Sequence, residues 1–310
     1  MSAQDLILHH YPPSPVSEKI RAGLGLKGLT WHSVEQNRLP DRPELFALTG
    51  GYRRIPVLQL GADIYCDTQG ILRALEARHP EPTFFPNGGA GLPFAVSRWT
   101  DNEIFGHAVR LAFAPDADKL PPALVADRAR LYLGPDGDFL KERADLPHAA
   151  AQVRAHMGWV EDRLATGRPF ILGDQPGMPD LMIYYLVWFM SGRWSGAETF
   201  FEEFPHIVAW KERMAALGHG TSHDMTPQQA LTIARDAEPA AAAQDDPRDP
   251  QGLKVGQRIS VAPLTDSGET AVDGTAHVIG RDVVAVMRET PEVGRVCVHF
   301  PRVGYRVQVL

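Results

Sequence analysis

Cysteine is scarce. Only Cys66 and Cys297 occur in 310 residues, too few and too far apart for a disulfide framework or a zinc-binding spacing. That scarcity fits a reducing compartment, so a cytoplasmic protein with no metal is expected. Long apolar runs are missing too. The longest, LMIYYLVWFM at Leu181–Met190, falls far short of the roughly 20 residues a membrane-crossing helix needs. No basic segment leading into an apolar stretch opens the chain, and no signal peptide is expected. Positive charge is not in excess: 31 Lys and Arg against 38 Asp and Glu give a formal net charge of −7. Without a basic stripe to release counterions, no nucleic-acid partner is expected. No heptad pattern and no internal repeat appears.

What is present falls into three stretches. The first eighty-odd residues alternate strand and helix signals: a strand at Leu6–His9, a helix at Ser17–Gly25 and a strand at Thr30–Val34. IPVLQL and ADIYC, separated by Gly61, read as a β-hairpin, and a helix follows from about Thr68 to Arg78. This is an α/β unit over residues 1–83. Beyond a Pro/Gly connector only helical periodicity is found, giving an all-helical domain over residues 93–237. Its candidate helices are Phe94–Ala112, Pro122–Leu133, Pro147–Leu164, Pro179–Met190, Pro205–Leu217 and Thr226–Ala237. An acidic Ala/Pro linker at 238–252 precedes five short strands of period two. Residues 253–310 therefore predict a small antiparallel β-barrel-like module.

Three motifs of the first stretch carry chemistry, and each has a purely structural explanation. YPPSPVSEKIR places Ser14 before a proline at a helix start, where serine is a good cap. It also places Ser14 after the first strand, at the edge where α/β folds bind ligands. In RRIPVL, Pro56 opens a strand although it has no N–H to donate. Either the strand lies at an edge, or a cis Ile55–Pro56 bond leaves the Ile55 backbone available to an extended partner. In CDTQGILRAL, Asp67 and Thr68 begin a helix. They either cap it or form an anion site, with Asp67 turned to an ammonium group.

In this order and spacing, the three motifs resemble the glutathione transferase family. Members have a thioredoxin-like domain with a catalytic Tyr, Ser or Cys after the first strand, a cis-proline loop, and an acidic-Ser pair opening the next helix. An all-helical domain follows. The matching elements here are Ser14, Ile55-Pro56 and Asp67-Thr68, and the resemblance covers roughly residues 4–235. SPVS is also similar to the CPxC of glutaredoxin-like relatives with both sulfurs replaced by oxygen. Dithiol exchange at this site is thereby disfavoured, and Cys66 reads as a buried strand residue.

The resemblance implies glutathione as co-substrate, with its γ-glutamyl end at Asp67 and Thr68 and its cysteinyl backbone on Ile55. Its glycine carboxylate would lie on Arg54, with Arg53, Gln36 and Asn37 as alternates. Ser14 would donate a hydrogen bond to the thiolate, a role Ser17 or Tyr11 can also fill. Lowering a thiol pKa from about 8.5 by ~2 units takes roughly 2.7 kcal/mol. A hydrogen bond to a charged group supplies about 1.5–3 kcal/mol, and a helix N-terminus about 0.3–1 more. No base is assured, since His9 and His10 are adjacent on a strand and point to opposite faces. An apolar wall for a small electrophile is expected from Tyr11, Trp99, Phe105 and Phe113. Tyr184, Tyr185, Trp188 and Phe189 read as core, and His107 as a satisfied, partly buried histidine. GMPD at Gly177–Asp180 stands where the family has a Ser/Thr-x-x-Asp helix cap, with Asp180 structural. A homodimer and a role in detoxification are further implications. Two functions follow from these residues: a glutathione transferase acting on an unknown electrophile, or a non-catalytic glutathione- or ligand-binding protein whose C-terminal β module mediates its role.

Overall fold

ILHH is buried at all four positions and forms β1 (Ile7–His10) of the computed structural model, which describes residues 5–265 and 269–310. Pro15 sits in the first turn of α1 (Pro15–Leu26), and the chain returns as β2 (Thr30–Glu35), parallel to β1. A short helix follows that the sequence pattern does not announce. This is α2 (Pro43–Thr49), again with proline in its first turn and with Leu45 and Leu48 buried. β3 (Val57–Leu60) and β4 (Asp63–Cys66) are the expected antiparallel hairpin. Its turn passes through Gly61 at φ 59, a left-handed value that glycine adopts without steric cost. Then comes α3 (Thr68–Arg78), which buries Ile71, Leu72 and Leu75 as its apolar spacing requires.

The helical stretch holds α4 (Gly91–Trp99), α5 (Phe105–Phe113), α6 (Pro122–Leu133), α7 (Phe139–Glu142), α8 (Leu146–Leu164), α9 (Met178–Arg193), α10 (Ala197–Phe201) and α11 (Pro205–Ala215). The single helix expected over Phe94–Ala112 is instead α4 and α5 joined by a π-helical turn at Thr100–Ile104. There Asp101 accepts from the Tyr185 hydroxyl at 2.8 Å and pairs with the buried Lys19. α9 is apolar all round and is buried on nearly every side, which is what such a sequence requires. Asp180 in its first turn accepts from the N–H groups of Gly177 and Ile171 and from Trp210 Nε1, at 2.8–3.0 Å. The reading of Asp180 as structural agrees with these bonds.

Beyond Gly220 the chain groups with the sheet again. β5 (Thr221–Asp224) pairs in parallel with β2 although all four of its residues are exposed, so no apolar alternation marks it. α12 (Pro227–Arg235), expected as the last helix of the helical domain, packs with α2, β2 and β9 (Gly294–Pro301). The other C-terminal strands are β6 (Arg258–Pro263), β7 (Val272–Ile279), β8 (Val283–Thr290) and β10 (Tyr305–Val309). They are antiparallel as period two predicts, in the order β10-β6-β7-β8-β9. But β9 pairs on to β4 and not back to β10, so among the described residues the barrel-like closure expected of them is replaced by an open ladder.

The module is not set apart from the rest. β9 pairs in parallel with β4, Asp63 opposite Cys297 and Tyr65 opposite His299, so one ladder runs β10-β6-β7-β8-β9-β4-β3-β1-β2-β5. Without β9, β4 would be an exposed edge. A strand between two neighbours with both faces covered should be apolar throughout, and Val296–Pro301 is buried at every position. One core joins Leu45, Tyr52, Val57 and Ile64 to Val261, Val286, Val298, Phe300 and Tyr305. At roughly 1.5–3 kcal/mol for each large apolar side chain fully buried, this shared core is a major source of stability. Two compact units result. The sheet unit takes the chain up to Ser17, Leu29–Ala77 and from Thr221 onward, and the helical unit takes Glu18–Gly28 and Arg78–Gly220.

Candidate functional site

Register gathers the three motifs. His9 at the end of β1 lies opposite Val57 at the start of β3, and Val57 lies opposite Cys66 at the end of β4. Ser14, Ile55-Pro56 and Asp67-Thr68 therefore all emerge at one end of the sheet. Two helix N-termini, of α1 and α3, begin there as well.

Ser14 is 2 % exposed, and its Oγ accepts from the Ser17 N–H at 3.1 Å. It is the helix cap, in the position the ligand-binding reading also requires. Ser17 is fully buried, and its hydroxyl has no hydrogen-bond partner among the described residues. Tyr11 belongs to the core with Leu45 and Leu48, and the Arg42 guanidinium lies 5.9 Å from its ring centre. The Ile55–Pro56 bond is cis, and β3 begins only at Val57, so the Ile55 peptide stands outside the ladder.

Asp67 has φ 68, the left-handed region that aspartate enters more readily than most residues. Its Oδ1 accepts from the Gln69 N–H at 2.9 Å, capping α3, and Thr68 beside it is buried. Its Oδ2 accepts from the Tyr305 hydroxyl at 3.2 Å, and Tyr305 is in turn 3.0 Å from the Tyr52 hydroxyl. Burial raises the pKa of both tyrosines, reinforced by the charge of Asp67, so both remain neutral phenols. β10 thus holds the acidic residue of the candidate site, and nothing in the local sequence around Tyr305 signals it.

Arg54 has a partner of its own. Glu269 accepts from Arg54 Nε through both oxygens, at 2.7 and 2.9 Å, and pairs with Nη2, which also donates to Thr265 Oγ1 at 2.7 Å. Burial works against the guanidinium charge, but the hydrogen bonds and charge of Glu269 outweigh it and raise the Arg54 pKa. The carboxylate expected from a ligand is here supplied by the chain. Two of the alternates, Gln36 and Asn37, are also engaged. Gln36 is buried and 3.3 Å from His9 Nδ1, and Asn37 donates to the Asp41 carbonyl. Arg53 offers its carbonyl to Arg42.

His9 is fully buried between Gln59 and Gln36, and burial lowers its pKa to about 4, so it is neutral. His10 lies 3.0 Å from the Ser33 hydroxyl. Cys66 is buried, with its thiol pKa raised by burial and then by Asp67, in keeping with an inert strand residue. Asp63, Cys297 and His299 come within 4.8 Å of one another across β4 and β9. Both Asp63 oxygens already accept there, from His299 Nε2 at 2.8 Å and the Ala240 N–H at 2.7 Å.

The remaining aromatic residues expected at a pocket lie in the helical unit. Trp99 stacks on Trp159 and donates to His156, Phe105 packs on Tyr132 and Tyr185, and Phe113 stacks on Phe139. His107 corrects the reading made of it: its Nδ1 is buried with no hydrogen-bond partner among the described residues, and its ring meets His148. Among the described residues no helix is long and apolar enough to cross a membrane.

Comparison with known proteins agrees with this fold. Residues 8–83 match the glutathione S-transferase N-terminal domain, and residues 125–213 match its C-terminal domain. A crystal structure of a GST-like protein from Pseudomonas syringae is 34 % identical, with a TM-score of 0.83, over 99 % of this chain and 100 % of that one. The chain belongs to the glutathione S-transferase family. A probable glutathione S-transferase, parA, of Nicotiana tabacum is 20 % identical over 215 residues, 68 % of this chain and 84 % of that protein. FzlA from C. crescentus shares the fold at 21 % identity and a TM-score of 0.51, covering 76 % of this chain and 94 % of that one.

Proposed function

We propose that this protein binds a glutathione-type thiol at the end of the sheet where Ser14, Ile55 and Asp67-Thr68 meet, and activates it for transfer to a small apolar electrophile. The observation that carries the reading is the register: His9, Val57 and Cys66 lie in line across three strands, which brings all three motifs to one edge. The α3 N-terminus and the Thr68 hydroxyl suit an α-carboxylate, and the Asp67 carboxylate suits the neighbouring ammonium. The Ile55 peptide, outside the ladder, pairs with the ligand backbone.

At the sulfur, the thiol gives its proton to solvent and the thiolate's electron pair forms the C–S bond at the electrophilic carbon. Either a leaving group departs with its bonding pair, or, in an addition, the displaced π pair takes a proton from water. Ser14 stabilises the thiolate as a hydrogen-bond donor and is not itself a nucleophile. Its Oγ accepts from a main-chain N–H, which orients the hydroxyl for donation. The cytoplasm as location, a homodimer as assembly, detoxification as role, and Trp99, Phe105 and Phe113 as part of the apolar wall belong to the same proposal.

Calorimetry with glutathione, followed by turnover against a panel of electrophiles, tests the reading. Wild type is expected to bind and turn over. Ser14→Ala is expected to bind within about threefold of wild type while kcat/KM falls roughly 10- to 100-fold, the equivalent of one hydrogen bond to a charged group. Binding without turnover across the panel would favour the non-catalytic reading instead, and no binding at millimolar thiol would overturn both.

A further inference from the structure

Arg54 stands next to Ile55, the position that the family resemblance assigns to a cation facing the far end of an extended thiol peptide. Its guanidinium already holds a carboxylate in a two-oxygen fork, and that carboxylate, Glu269, has a side chain only 4 % exposed against 31 % for Arg54. Thr265 adds a hydroxyl to the same guanidinium at 2.7 Å. A second carboxylate brought to Arg54 would approach Glu269 at close range, and like charges there repel. Displacing Glu269 would leave a buried carboxylate without its cation, the costly way to break such a pair. Arg42, the buried arginine nearby, donates to the carbonyls of Asn37, Arg38 and Arg53, an arrangement of three main-chain acceptors.

We infer that the site takes a γ-glutamylcysteinyl thiol whose far end carries no free carboxylate, an amide or ester in place of the acid, and that Glu269 sets this preference by neutralising Arg54. The inference rests on the proposed thiol site. A neutral far end avoids the repulsion and leaves the Arg54–Glu269 pair intact. Selection therefore comes from a charge placed against the wrong ligand as much as from contacts to the right one.

The test is calorimetry on the full chain with glutathione and with glutathione esterified at its glycine carboxylate. Wild type is expected to bind the ester at least as tightly as glutathione. In Glu269→Gln, which removes the carboxylate charge from beside the guanidinium, the ratio is expected to move about tenfold towards glutathione. Arg54→Gln is expected to move it the other way. If wild type prefers glutathione over the ester by about tenfold or more, a ligand carboxylate displaces Glu269 or finds another cation, and the inference is overturned. An unchanged ratio in a folded Glu269→Gln protein overturns it too. Should Glu269→Gln fail to fold, the wild-type ratio alone decides. Failure of both ligands to bind wild type removes the thiol site itself, a result distinct from a wrong ratio.

Discussion

Tyr305 and His9 show what single side chains do for this site. The Tyr305 hydroxyl donates to Asp67 and lies against Tyr52, so Tyr305→Phe takes one hydrogen bond from the buried Tyr52 and one from the half-buried Asp67. The expected result is a loss of about 1–3 kcal/mol in stability. Thiol affinity is expected to fall about 3- to 10-fold, because Asp67 loses the contact that orients it. Denaturant melts and calorimetry check both, and unchanged affinity would detach the C-terminal strand from the site. His9 acts through pH. Its folded pKa of about 4 lies below the ordinary 6.5, so the unfolded chain takes up the proton first as pH falls. Its contribution is complete above about 6.5 and is lost as pH drops towards 4, a difference of about 3 kcal/mol. Urea unfolding at pH 7 and pH 4.5 is expected to show this loss in wild type and a smaller one in His9→Gln. Equal losses would contradict it.

At the scale of elements, legibility depended on how local the signal was. α1 and α3 are announced by proline or a capping residue followed by an apolar stripe, and the β3–β4 hairpin by Gly61, so these needed no tertiary information. α2 has only seven residues, too short for periodicity to declare. β5 is exposed throughout and exists because β2 offers it an edge. The candidate site divides in the same way. Ser14, Ile55-Pro56 and Asp67-Thr68 each carry a local signature, and their order along the chain made the family recognisable. Tyr305, Thr265 and Glu269 lie more than 200 residues from the groups they touch, and only the β4–β9 pairing delivers them. Sequence pattern gave those five C-terminal strands but not the edge they join.

For the whole molecule, the continuous ladder makes the C-terminal strands part of the body. Truncation after Ala240 would remove β6–β10, expose the β4 edge and strip Val261, Val286, Val298 and Phe300 from the core around Ile64. The truncated chain is expected to lose cooperative unfolding or to aggregate, as seen by melting and size-exclusion chromatography. A soluble product that melts like the full chain would contradict a shared core.

The central claim is that the sheet end around Ser14 stabilises a thiolate. Titrating the thiolate absorbance of the bound thiol, glutathione or its glycine ester, against pH measures this directly. The full chain is expected to lower the thiol pKa from about 8.5 to roughly 6.5, and Ser14→Ala to return most of that change. A bound thiol that titrates at about 8.5 in wild type, or alike in wild type and Ser14→Ala, would contradict it.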